Sequence, residues 1–342
     1  MWMQTLQLKQ PLAGAIFLCA LFLLILGLLS EVSLRVAHAA QVLPAPNMGV
    51  ANPELGIKVA RLDALAKARG RVDCIFIGSS AVDADVDPQE MSRIYQARTG
   101  EEIVCFNFGI AAMPTTAAPT IGKLLIARYH PKILIYGADP SVFSQDFPGG
   151  VYDVPWVRYH SGDVTVEGWL MEYSYLYRYS VASSDWRNVE RIELTSRLER
   201  NISSFGFNAY KGNEFEEITT GWGMAQHQLY PPYFAGYRDF LNLRSTDTQI
   251  VVFELPTQMN FRVKKDPADE KAYQEQFLQP IIAEAESRGA LFWRTGQIVF
   301  TTLPASHFAD WLHLNYGGTK VFSGWLGEQL AEAVQQGKLK VR

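Results

Sequence analysis

Two short stretches, far apart in the chain, hold residue types that can carry out acyl chemistry together. An apolar run from Val72 to Ile77 ends in Gly78-Ser79-Ser80, and near the C-terminus the chain reads Asp310-Trp311-Leu312-His313. A serine hydroxyl is a weak nucleophile until a base within hydrogen-bond reach takes its proton. Histidine supplies such a base, and a carboxylate on its other ring nitrogen fixes the tautomer and stabilises the imidazolium. Ser80 is therefore the candidate nucleophile, His313 the base and Asp310 the orienting group. Ser79 is the rival nucleophile, its other role being a turn residue that hydrogen-bonds the local backbone. Asp310 has a second reading as the cap of the helix that follows. His307, Asp310 and His313 also lie close enough in sequence to offer nitrogen and oxygen ligands to zinc, but no fourth partner is evident. No glycine-rich phosphate loop of the P-loop or dinucleotide type occurs, so no cofactor and no metal is expected.

These residues can meet only if the fold brings strand ends together. Short apolar runs at Val72–Ile77, Ile103–Phe108, Ile133–Tyr136, Gln249–Phe253 and Ala290–Trp293 are almost continuously hydrophobic, as strands buried on both faces of a parallel sheet require. Helical spacing lies between and around them, at Glu54–Arg69, Pro88–Thr99, Thr116–Tyr129, Asp269–Arg288 and Gly318–Gln336. The alternation predicts an α/β fold with a doubly wound, mostly parallel sheet of five strands. Ligands of such sheets sit at the carboxyl ends of the strands, where Gly78, Gly109 and Gly137 all fall. Residues 144–247 break the rhythm and read as an insertion between the third and fourth strands, helical around Asn188–Asn201, placed either as a lid or substrate wall or as a packed subdomain. Its Trp156, Arg158, Tyr159, Trp169 and Trp186 suit stacking on sugars, and equally suit ordinary packing.

Of the 342 residues, 48% are hydrophobic and 19% charged, which suits a folded domain, and a net charge of −4 gives no basic footprint for nucleic acid. Pro11 to Leu29 carries no charge and is long enough to cross a hydrocarbon core of ~30 Å as a helix. Residues 1–10 are read as a cytoplasmic tail, 11–34 as a transmembrane anchor, 35–53 as a linker and 54–342 as the main domain. Lys9 before the apolar run favours a cytoplasmic N-terminus, leaving the domain periplasmic or extracellular. Ala37-His38-Ala39 resembles a signal-peptidase site, but the apolar run exceeds the usual signal core, and Glu31 and Arg35 intervene. Three cysteines, with Cys74 and Cys105 in predicted strands, imply no disulfide framework; the two are read as small buried hydrophobes that would become neighbours if their strands paired.

In order along the chain, Gly78-Ser79-Ser80, Asn107-Phe108-Gly109, Gly137-Ala138-Asp139 and Asp310-Trp311-Leu312-His313 resemble the motif series of the SGNH, or GDSL-like, hydrolase superfamily, over about Val72 to Val334 without the insertion. The resemblance implies a flavodoxin-like SGNH fold, Ser80, His313 and Asp310 as catalytic residues, and an oxyanion hole from the Ser80 and Gly109 amides. The third donor of that family is an asparagine side chain. Asp139 stands there instead, and an ionised carboxylate accepts hydrogen bonds and cannot donate them. A serine domain behind an N-terminal apolar helix looks like the bacterial envelope branch, which includes the D-alanyl transfer protein of teichoic-acid modification and the acetyltransferase-like proteins of exopolysaccharide pathways. The expected function is then acyl-ester hydrolysis or transfer on an envelope glycan or lipid-linked sugar, from the inner membrane and alongside protein partners of an envelope assembly. The alternative is a catalytically degenerate SGNH-like module that binds or assembles within a polysaccharide export or modification complex.

Overall fold

A computed structural model of the chain describes residues 9–40, 42–43, 53–143, 154–160, 162–182, 189–209, 229–256, 267–296, 298 and 302–341. The five apolar runs form strands β1 (Cys74–Gly78), β2 (Cys105–Gly109), β3 (Ile133–Ala138), β4 (Gln249–Glu254) and β5 (Leu291–Trp293). All pair in parallel, in the order β2-β1-β3-β4-β5. This is the doubly wound α/β sheet expected, and helices on both faces explain why its strands lack polar alternation.

On one face, α2 (Glu54–Arg69), α5 (Ala118–Tyr129) and α10 (Pro231–Leu241) bury Leu62, Leu124 and Phe240 against Ile75, Tyr136 and Val252. On the other, α3 (Ser80–Asp85), α4 (Pro88–Thr99) and α13 (Tyr316–Gln335) bury Val82, Met91 and Phe322 against Phe76 and Phe253. The predicted helix Asp269–Arg288 is α11 (Pro267–Tyr273) and α12 (Gln279–Ser287), joined through a π-helical turn over Gln274–Leu278. Pro280 has no N–H for the Gln276 carbonyl, and the ladder widens ahead of it.

Three features depart from the expectations. First, Cys74 and Cys105 are direct partners in the register of β1 and β2 and form a disulfide, with Cα atoms 4.6 Å apart. They are therefore a cross-link, where separate buried thiols were expected. Second, α1 (Lys9–Ala39) runs past Arg35, where a linker was expected to begin. Residues 41 and 44–52 of that linker lie outside the described residues. Third, α10 lies within the expected insertion 144–247 but packs on the face of the sheet, and the rest of the insertion's described part is largely helical. It comprises α6 (Pro155–His160), α7 (Val166–Tyr173), α8 (Tyr175–Ala182) and α9 (Val189–Asn201), with α6 packed on α5 and α9 on α2. The chain then returns along the edge of the sheet, where the Asn107 N–H donates to the Phe205 carbonyl at 2.9 Å. That contact covers the polar edge of β2. Residues 144–153 and 210–228, which belong to the expected lid, lie outside the described residues.

A buried cation ties these layers together. The fully buried Lys58 ammonium of α2 pairs with Asp83 of α3 and also donates to the carbonyls of Gly206 and Asn107. One side chain thus joins the helix that begins with Ser80, the edge strand and the insertion. A desolvated charge is tolerated because its donors all find acceptors.

Candidate active site

Ser80 opens α3, and that short helix is seated by glycine. A Cβ on Gly78 or Gly137 would run into the Val82 side chain, and a Cβ on Gly109 would fall inside the backbone of Asp83. The ends of β1, β2 and β3 thus let α3 approach more closely than any larger residue would allow. Asn107 secures the other end of α3. Its Nδ2 donates to the carbonyls of Val82 (2.7 Å), Asp83 (3.2 Å) and Val86 (2.7 Å). Ser79 is the N-cap of α3, its Oγ accepting from the Ala81 N–H at 3.4 Å and donating to Asp139 at 3.1 Å. The rival serine is therefore engaged as a turn and capping residue.

The histidine arrives on a narrow loop. Phe308 and Leu314 form an antiparallel bridge, the Asn315 N–H donates to the His307 carbonyl at 2.9 Å, and Asp310 to His313 form the tip. Asn315, with its Oδ1 accepting from the Gly318 N–H at 3.1 Å, caps α13. Asp310 is thereby left to face inward. Its Oδ1 accepts from the N–H groups of Leu312 (2.9 Å) and His313 (2.8 Å), and both carboxylate oxygens lie 3.0 Å from His313 Nδ1. His313 Nε2 is 2.9 Å from Ser80 Oγ.

The chemistry of this chain follows from its charges. Burial alone would raise the Asp310 carboxyl, but the His313 ring and the His313 and Leu312 amides outweigh it and bring the group down to about 2. Asp310 is then an ionised acceptor, so Nδ1 carries the proton and Nε2 is left to accept from the Ser80 hydroxyl. An imidazole nitrogen aimed at a half-buried serine can take its proton as the oxygen attacks a carbonyl. His313 is committed through both ring nitrogens, and among the described residues no group of three or more His, Cys, Asp or Glu could hold a metal.

The other two expected site residues stand elsewhere in the hydrogen-bond pattern. The Gly109 N–H donates to Asn107 Oδ1 at 2.8 Å, so it braces α3 and does not face the substrate side. Asp139 is fully buried, and burial raises its carboxyl above the ordinary value against the hydrogen bonds of Ser141 and Ser79. One oxygen faces Ser79, and the other takes the N–H and hydroxyl of Ser141. Asp139 therefore supports the turn that carries Ser80, and is not aimed at an oxyanion.

Two residues near the site were not singled out in the sequence. Asp85, at the end of α3, accepts the Leu314 N–H at 2.8 Å and so fastens the histidine loop to the serine helix. Burial is the first cause holding its carboxyl well above the usual range, and the neighbouring carboxylates of Asp310, Asp139 and Asp83 add to it against the Leu314 N–H. Ala112 sits in the loop after β2 with φ 56°, a left-handed conformation unusual for alanine. The amides around it are engaged: Ile110 to Gly78, Ala111 to Glu54 and Met113 to Ile110. The Ala112 N–H has no such partner among the described residues. Nothing in an alanine codon position announces a left-handed backbone, and nothing in a buried aspartate announces which amide it holds.

Of the aromatic residues suited to sugar stacking, Trp156 is fully buried, donates to Glu172 at 2.7 Å and packs on His160, so it is a core residue. Arg158 is paired with Asp163, and Tyr159 packs edge-on against Tyr173. Trp169 is exposed on α7, and Trp186 lies outside the described residues.

No protein-family model matches the chain, and no curated protein matches it in sequence. Among solved structures, a catalytic mutant of an acetylxylan esterase from Geobacillus stearothermophilus is similar at 14% identity and a TM-score of 0.40, covering 79% of this chain and 97% of that one. A lipase/acylhydrolase from Enterococcus faecalis is similar at 11% identity and a TM-score of 0.36, covering 79% and 99%. An aryl esterase from M. smegmatis is similar at 11% identity and a TM-score of 0.35, covering 78% and 99%.

Proposed function

We propose that this chain is an SGNH-like, serine-dependent acyl-ester hydrolase or acyltransferase. The reading rests on one observation: His313 Nε2 lies 2.9 Å from Ser80 Oγ while Nδ1 is held by an ionised Asp310. Ser80 Oγ attacks the ester carbonyl as His313 takes its proton. The tetrahedral oxyanion is received by the Ser80 N–H, which lies in the first turn of α3 and has no intrahelical acceptor there, and by the Ala112 N–H in the adjoining loop. His313 then returns its proton to the departing alcohol, leaving an acyl-Ser80 ester. Water or a sugar hydroxyl, activated by the same imidazole, resolves it to acid or to a new ester.

The substrate we infer is an acylated envelope glycan or lipid-linked sugar, handled outside the cytoplasm. Two features support the compartment. Helix α1 contains a candidate membrane span, Ala13–Ala39, whose most apolar stretch has no buried residue. A Cys74–Cys105 disulfide suits an oxidising environment. A single-pass anchor in the bacterial inner membrane, with the domain outside and partners of an envelope assembly nearby, fits both.

The test is labelling by a fluorophosphonate together with p-nitrophenyl acetate turnover. Labelling at Ser80 that vanishes in Ser80→Ala is the expected result. A folded chain that neither labels nor turns over, yet binds acylated glycan, would favour a degenerate binding module, a reading to which the carboxyl of Asp139 at the usual place of a neutral donor lends support.

A further inference from the structure

The end of helix α1 is not a loose tether. Glu31 lies just past the charge-free run Pro11–Leu29, and its carboxylate accepts from Ser174 Oγ (3.0 Å) and from the N–H groups of Tyr175 (2.9 Å) and Leu176 (2.8 Å). Ser174 precedes α8 and Tyr175 and Leu176 open it, so a residue of the anchor caps a helix of the insertion. Arg35, one turn on, bonds Glu31 at 2.8 Å, donates to the Tyr173 carbonyl and lies 4.9 Å from the centre of the Tyr175 ring. His38 packs on the same ring at 5.2 Å. The junction of α7 and α8 is therefore fixed at the level where the apolar part of α1 ends.

The free side of α7 has the composition that level calls for. Gly168 and Met171 face the core, while Val166, Trp169 and Tyr173, at spacings of three and four on the opposite side, are 77%, 49% and 51% exposed. The Trp169 and Tyr173 rings lie 5.5 Å apart, and Val164 and Leu176 extend the exposed apolar face. Aromatic rings with a polar edge favour the headgroup level of a bilayer, where an apolar helix face can dip below the surface. A contiguous patch of this kind at an anchor's exit is continuous with the lipid contact of the anchor itself.

We propose that α7 and the start of α8 lie in the headgroup interface of the membrane crossed by α1, so that the insertion clamps the domain to the bilayer in one orientation. The proposal rests on the anchor reading given above. It holds the Ser80 site at a set height over the membrane, which suits an acyl donor or acceptor carried on a lipid and restricts access for a polymer free in solution.

Spin labelling tests it in the full chain reconstituted in nanodiscs of phosphatidylethanolamine and phosphatidylglycerol. Cys19, exposed on α1, takes a label in the native chain, because Cys74 and Cys105 are consumed in their disulfide. In a Cys19→Ser background, Val166→Cys and Glu332→Cys place labels on the patch and on exposed α13 at the opposite face of the sheet. Collision with oxygen relative to a water-soluble nickel chelate reports immersion. The expected result is a ratio at position 166 severalfold above that at 332, with the highest ratio at 19. A lipid-like ratio at 19 with equal ratios at 166 and 332 would overturn this proposal alone. Spin–spin broadening at 166 without contact with oxygen would assign the face to a second copy and overturn it too. A water-like ratio at 19 would remove the anchor reading, and this proposal with it.

Discussion

At the scale of single residues, the site depends on the charge of Asp310 and on the tautomer it imposes. Asp310→Asn keeps the shape and removes the anionic acceptor. The expected effect is a fall in kcat of about 10²–10⁴-fold with KM little changed, read by p-nitrophenyl ester turnover. The same carboxylate affects stability. Its pKa is depressed to about 2 in the folded chain. Its contribution is therefore present above the unfolded value near ~3.9 and disappears as pH falls through about 2. The stability gap between the native chain and Asp310→Asn should accordingly narrow between those two values in acid titrations followed by circular dichroism.

At the scale of elements, the site is the meeting of α3 with the loop that bears His313, and two contacts decide how well they meet. Gly109→Ala would place a methyl group inside the backbone of Asp83, and α3 would have to move. Stability should fall by about 1–3 kcal/mol in urea melts, and kcat by about 10²-fold, because Ser80 moves with its helix. Asp85 acts from the other side through the Leu314 N–H. Asp85→Ala leaves that buried donor without its acceptor, at about 1–3 kcal/mol, and should lower kcat more than it alters KM. Asp85→Asn keeps an acceptor oxygen and stays neutral. Because the Asp85 pKa is raised in the folded chain, its stabilising contribution is full below the unfolded value and lost as pH rises through the folded one. Asp85→Asn should therefore gain on the native chain as pH rises from 4 toward neutrality, and urea midpoints across that range that stay parallel would refute the protonated state. The strands and long helices were legible because burial on two faces and helical periodicity are written in residue type. Helix α3 was not, since its six residues carry no period and it exists because three glycines make room for it.

At the scale of the whole molecule, the disulfide, the buried Lys58 and the insertion hold one sheet edge. The Cys74–Cys105 bond closes a loop with a sequence separation of 31. Replacing both cysteines by serine should lower stability by about 2–4 kcal/mol, measured by thermal and urea unfolding. In cells, the thiols should be blocked to alkylation only in chain that has crossed the membrane, which makes their oxidation state a measure of the proposed topology. The pairing escaped the sequence reading because it depends on register: a one-residue slip of β2 against β1 would have turned the two side chains to opposite faces.

From composition and pattern alone came the apolar span, the parallel sheet, and the identities of Ser80, His313 and Asp310 as residues able to act together, because each of these is a property of residue type and spacing. Which donors face the substrate, which carboxylates keep their protons, which cysteines join and where α1 rests on the insertion were decided only in three dimensions. Those properties depend on burial and on distances of a few ångströms between groups remote in the chain. Gly109 illustrates the division. Its place at a strand end was readable, but its amide turned to Asn107 and its missing side chain made room for Asp83. The chain determined that a glycine stood there, and the packing of α3 determined what it was for.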